Sequence, residues 1–148
     1  MYCTVDKLAY GGYSTVWLAH DAFSERYVAV KVGIAGAFSN ETKVLQALAQ
    51  QHASSCEHPG RDAISLPLDE FEISGTNGAH QCYTMPPAQC SLRDVSFCHL
   101  FSHEVTRALA YHLTLAIAYT HSQGYVHGGL SPHVESASQL SIANLDLA

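Results

Sequence analysis

Two glycines, a lysine and a glutamate are the residues whose types and spacing could do chemistry early in this chain. Gly11 and Gly12 stand inside LAYGGYSTVWLAHDAFSERYVAVKV, residues 8–32, between two runs that read as strands, and Lys31 ends a third, apolar run. Glycine lets the backbone come close to a ligand that a Cβ would push away, and free N–H groups in such a turn suit phosphate oxygens. A lysine ending a neighbouring strand supplies the counter-charge, so the combination points to a phosphate-facing turn. Each part also has a plainer reading. A glycine pair serves an ordinary hairpin. Glu41, in the first turn of a helix expected from Ser39 or Asn40 to about Gln50, complements the helix dipole as a solvated capping charge.

The elements that must position these residues follow from the pattern. Val16 to Ala19 form a β-rich run after the glycines, Asp21 to Glu25 a polar turn, and Tyr27 to Val30 an apolar strand. Val44, Leu45 and Leu48 give the helix its apolar face. Residues 57–62, EHPGRD, are a turn signal without periodicity. In the following AISLPLDEFEI, Pro67 removes one ladder donor, which places that strand at an edge or a bulge. Residues 74–78, SGTNG, read as a hairpin loop before a strand from His80 to Met85. A long helix is expected from the cap Ser102 to about Gln123, with Val105, Leu109, Leu113, Ala116 and Ile117 on one side and Gly124 ending it.

Composition narrows the function classes. The chain has 148 residues, 47% of them hydrophobic, enough apolar material for one core and one domain. Its net charge is −6, and the seven Lys and Arg are scattered, so there is no basic face for nucleic acid or an anionic membrane. The long helix carries His103, Glu104, Arg107 and His112 and does not read as a membrane span. Five cysteines in no framework spacing suggest reduced, intracellular thiols. The opening MYCTVDKLAY has neither a signal-peptide nor a transit-peptide pattern. Ten histidines invite a metal reading, with His99 and His103 beside Cys98, and His52, Cys56 and His58 in one loop. HEVTR lacks the second histidine of H-E-x-x-H and no C-x-x-C occurs, so surface or packing roles are preferred and no zinc is expected.

The pairing of LAYGGYSTVWLA with VAVK resembles the small lobe of a eukaryotic protein kinase, and within that family the SR-protein kinase-like serine/threonine kinases common in fungi. The glycine loop of that group runs L-G-x-G-x-x-S-T-V-W-L-A. HPGRD, the AISLPLDEFEI stretch, G-x-N-G-x-H at residues 75–80 and THSQGYVHG fall in the order of the same group. Ala9 stands where the first glycine belongs and adds a methyl near the nucleotide, loosening the phosphate cradle without closing it. Ser14 in place of the third glycine is usual for the group.

The resemblance implies an α+β fold: a five-stranded antiparallel sheet plus helix C at about 1–85, a hinge at 86–90, and an incomplete large lobe at 91–148, together one partial domain. It implies an ATP site made of Ala9, Tyr10, Gly11, Gly12, Tyr13, Ser14, Val16, Ala29, Lys31, Glu41, Met85, Pro86 and Ala88. Glu41 becomes the helix C partner that holds Lys31 on the α- and β-phosphates. Met85 takes the gatekeeper position. Pro86 keeps its carbonyl and Ala88 its N–H for reading adenine.

The same resemblance marks losses. In HGGLSPHV, residues 127–134, Gly129 replaces the catalytic Asp, Ser131 the Lys and Val134 the metal-binding Asn. In LSIANLDLA, Asn144 stands for the metal-binding Asp, an amide that could ligate Mg²⁺ without offsetting phosphate charge. Sliding the register to make Asp146 the ligand breaks the I-A-x-L match. The sequence before the first strand looks trimmed, and no activation segment follows Ala148. Phosphoryl transfer is therefore expected to be impaired, with ATP as ligand and magnesium doubtful. The other reading is a non-catalytic pseudokinase or fragment that meets another protein through an exposed helix surface. Either way an intracellular, cytoplasmic or nuclear protein is expected, without nucleic-acid or membrane partners.

Overall fold

Runs rich in β-branched and aromatic residues, three before residue 34 and two between 69 and 85, build a sheet. The computed structural model describes residues 1–36, 41–50, 58–88, 101–126 and 146–147. Strands β1 (Tyr2–Tyr10), β2 (Ser14–Asp21), β3 (Arg26–Gly33), β4 (Asp69–Gly75) and β5 (Gly78–Met85) form one five-stranded sheet in the order β1-β2-β3-β5-β4. Every pairing is antiparallel. Together with the helices described below, this is the expected α+β layout.

Register explains the burial. β3 is central, and Val28, Ala29 and Val30 in succession are buried, as a strand covered on both faces requires. Ala19, Val28 and Val30 form a cluster with Tyr2, Val32 and Phe71 packed against it, and the Tyr2 and Phe71 rings stack at 5.3 Å. β4 lies at the edge, with Pro67 just outside it, so the proline costs no ladder bond within the strand. The β4–β5 turn closes with Gly75 opposite Gly78, whose φ of 112° is open to glycine only.

Two boundaries differ from expectation. β1 begins at Tyr2 rather than near Leu8, because its early residues pair with the far end of β2, Tyr2 opposite Asp21. Register shifts between Thr4 and Asp6 and between Lys7 and Ala9 break its alternation, which hid the strand from a period-two reading. Lys31 lies inside β3, followed by Val32 and Gly33, not at its end.

The chain divides into two compact units, residues 1–42 with 66–87 and residues 43–65 with 88–148. In the second unit, helix α1 (Glu41–Gln50, entered from the first unit) buries Val44, Leu45 and Leu48. Helix α2 (His103–Ser122) is capped by the Ser102 hydroxyl, which accepts from the Val105 N–H, and Gly124 follows it at φ 81°. Its buried residues are Ala116, Tyr119 and Thr120, an i, i+3, i+4 set at its C-terminal half. Of the expected stripe Ala116 is buried, Leu109, Leu113 and Ile117 are half-buried, and Val105 is 43% exposed. Two short strands, β6 (Tyr125–Val126) and β7 (Asp146–Leu147), pair antiparallel.

The HPGRD turn earns its glycine sterically. The Tyr119 hydroxyl donates to the Leu48 carbonyl at 2.7 Å, and the Arg61 guanidinium donates to the Ala49 carbonyl at 3.2 Å. Between them Gly60 lies so close to α2 that an added Cβ would stand 1.9 Å from the Leu115 carbonyl oxygen. A backbone atom cannot move aside as a side-chain tip can. Gly60→Ala is therefore expected to destabilise the protein by about 3 kcal/mol in urea unfolding, whereas Gly75→Ala, with nothing within 4 Å of its added Cβ, changes stability by less than about 0.5 kcal/mol.

Candidate functional site

Residues directly opposite one another in an antiparallel ladder share a face of the sheet. Ala9 is opposite Val16, Val16 opposite Lys31, and Lys31 opposite Tyr83, one row across four strands. The neighbouring row on that face is Leu18, Ala29 and Met85. Ala9, Val16, Ala29, Lys31 and Met85, predicted site residues far apart in sequence, thus lie on one face in two adjacent rows.

Lys31 is the only cation in those rows, and it is paired. Its Nζ donates to Glu41 Oε1 at 2.7 Å and Oε2 at 2.8 Å, and each side chain retains only 12% of its exposure. An ammonium has three donors, so a bidentate carboxylate leaves one N–H direction for another acceptor. Sequence reasoning missed Tyr83. Its hydroxyl donates to Glu41 Oε1 at 2.9 Å, and its ring centroid is 5.6 Å from Lys31 Nζ. Burial first, then the Glu41 charge and hydrogen bond, push the Tyr83 phenol far above its usual range, so it stays protonated and donating. Only the β3–β5 register, which needs the fold, could have placed it opposite Lys31.

The glycine turn joins β1 to β2 beyond the row of Ala9 and Val16. Its conformation is set by the Gly11 N–H donating to the Ser14 carbonyl at 2.9 Å, and by the Ile34 N–H donating to the Tyr13 carbonyl at 3.1 Å. The Gly11 amide is thus spoken for, which corrects the expectation of free N–H groups at that residue. A Cβ added at Gly11 or Gly12 would meet nothing within 4 Å, so the space beside both is open to a ligand. Tyr10 and Tyr13 flank it at 80% and 78% exposure. Lys7 Nζ lies 4.7 Å from the Tyr10 ring centroid and 5.7 Å from that of Trp17.

Of the remaining predicted residues, Pro86 and Pro87 are half-buried and Ala88 is exposed after β5. Gly129, Ser131, Val134 and Asn144 lie outside the described residues, as do Ser39 and Asn40, the expected caps of α1. Among the described residues no group of three or more His, Cys, Asp or Glu could hold a metal ion, and no helix is long and apolar enough to cross a membrane. Cys3, exposed, and Cys82, buried, are free thiols.

No protein-family model matches the chain. Individual proteins do. A serine/threonine protein kinase of Aspergillus fumigatus is 30% identical over 128 residues, 84% of this chain and 32% of that protein. Protein kinase dsk1 of Schizosaccharomyces pombe is 32% identical over 139 residues, 88% of this chain and 25% of its own length. Human SRSF protein kinase 3 is 38% identical over 86 residues, 57% of this chain and 15% of that kinase. The chain therefore spans about a third or less of the curated relatives it matches. With the five-stranded antiparallel sheet and the Lys31–Glu41 pair, these matches establish the family: the chain is a eukaryotic protein kinase-like domain related to the SR-protein kinases.

Proposed function

We propose that this chain binds ATP on the sheet face carrying Lys31 and that its transfer of the γ-phosphate to protein serine or threonine is impaired. The observation that carries the binding half is the bidentate Lys31–Glu41 pair, at 2.7 and 2.8 Å, on the sheet whose β1–β2 glycine turn has open space beside it. The residues fit a nucleotide: Lys31 has a donor left for an α- or β-phosphate oxygen, and the half-buried Met85, opposite the buried Ala29 in the adjacent row, offers an apolar side chain to a purine. Bound ATP would supply the phosphates. The chain's own residues would hold them and keep the lysine oriented.

Impairment rests on the catalytic loop, where Gly129, Ser131 and Val134 stand in place of the Asp, Lys and Asn of the kinase pattern. Phosphoryl transfer depends on positioning and charge stabilisation, and glycine, serine and valine supply neither an orienting carboxylate nor a metal ligand equal to those replaced. Asn144 in place of the metal-binding Asp lowers the charge available to magnesium. The same substitutions favour a role as an ATP-binding pseudokinase over one as an active enzyme.

ATP at about a hundred times its Kd is expected to raise the melting temperature by roughly 5 °C or more, and Lys31→Ala is expected to abolish that rise. Radiolabelled ATP should leave no phosphate on protein substrates. Absence of any ATP-dependent shift refutes the binding half, and Lys31-dependent phosphotransfer refutes the impairment. A second expectation separates binding from folding: Gly12→Ala, whose added Cβ meets nothing within 4 Å at a position without positive φ, should leave urea stability within about 0.5 kcal/mol and still diminish the ATP shift.

A further inference from the structure

We infer that Tyr83 is a positioning residue for the Lys31–Glu41 pair: its hydroxyl fixes the Glu41 carboxylate in the orientation that presents both oxygens to Lys31. The consequence for nucleotide affinity rests on the ATP-binding reading above. The positioning itself does not.

A glutamate has three rotatable bonds, and a lone ammonium is a compact, non-directional partner that many of its rotamers could reach. A second donor at a fixed place removes that freedom. Tyr83 is fixed: it lies in β5 directly opposite Lys31, is 5% exposed, and has only two side-chain torsions. Its Oη reaches Glu41 Oε1 at 2.9 Å, the same oxygen that accepts from Lys31 at 2.7 Å. One carboxylate oxygen therefore receives two donors on neighbouring strands, while Oε2 accepts the second Lys31 bond at 2.8 Å. The Tyr83 ring, 5.6 Å from Nζ, bounds the ammonium on that side. Lys31 is left with one donor direction. Because burial and the Glu41 charge hold the phenol protonated, the bond does not switch within the physiological pH range.

The test is Tyr83→Phe, which keeps the ring and deletes the hydroxyl, read at the ¹⁵Nζ signal of Lys31 by NMR and by ATP titration. A merely structural hydroxyl would alter stability and leave the Lys31 signal in place. The Lys31 signal is expected to shift and its ammonium protons to exchange faster, with ATP affinity falling about tenfold. A shifted Lys31 signal with no ATP binding by either protein upholds the positioning role and refutes the nucleotide reading. An unchanged Lys31 signal overturns the inference whatever happens to ATP. Should Tyr83→Phe fail to fold, 3-fluorotyrosine incorporated throughout strengthens the donor without changing the packing. A shift at Lys31 Nζ is then expected, and its absence overturns the inference.

Discussion

A lysine ammonium held in a sheet face with little exposure must have its charge met there, and Glu41 meets it. Desolvating an ammonium and a carboxylate costs several kcal/mol each, which only close, hydrogen-bonded contact returns, and removing one partner of such a pair typically costs about 3–5 kcal/mol. The geometry satisfies that condition, with two bonds from Lys31 to Glu41 and a third from Tyr83. The first unit gains a polar group on an otherwise apolar row running from Ala9 through Val16 to Tyr83. A pure folding requirement would be met more simply by an apolar residue at Lys31. The pair suits the nucleotide-binding role proposed above.

Holding a nucleotide and transferring its phosphate draw on different residues, and the function proposed above separates the two sets in this chain. The proposed binding set lies within β1, β2, β3 and β5 and the first residue of α1. The transfer set of the kinase pattern falls at Gly129, Ser131, Val134 and Asn144, where the residue types differ from that pattern. The glycine turn belongs to the first set and departs from it in two ways. Ala9 stands where the kinase pattern has a glycine, and the Gly11 amide is bonded to Ser14, so in the proposed function phosphate recognition would fall mainly to Lys31.

Much of the fold was legible because it obeys short-range rules. The apolar run Val28 to Val30 announced a strand, Pro67 an edge or a bulge, Ser102 and Gly124 the two ends of α2. Glu41 and Lys31 were legible through the order of motifs, though spacing alone would have left the glutamate a helix cap. The start of β1 was hidden by register shifts that break period two. Tyr83 was hidden for a different reason: its partner is 42 residues away, and only the pairing of β5 with β3 brings the two together. Gly60 was read as a turn residue, whereas its necessity comes from the backbone of α2.

The most direct test is chemical. An ATP acyl-phosphate carries an electrophilic carbonyl at the end of its phosphate chain, and an amine held beside the phosphates attacks it and keeps the acyl group. Of the three lysines, Lys7, Lys31 and Lys43, mass spectrometry should find Lys31 acylated first, and excess ATP should suppress it. Equal labelling of all three, indifferent to ATP, would contradict the account.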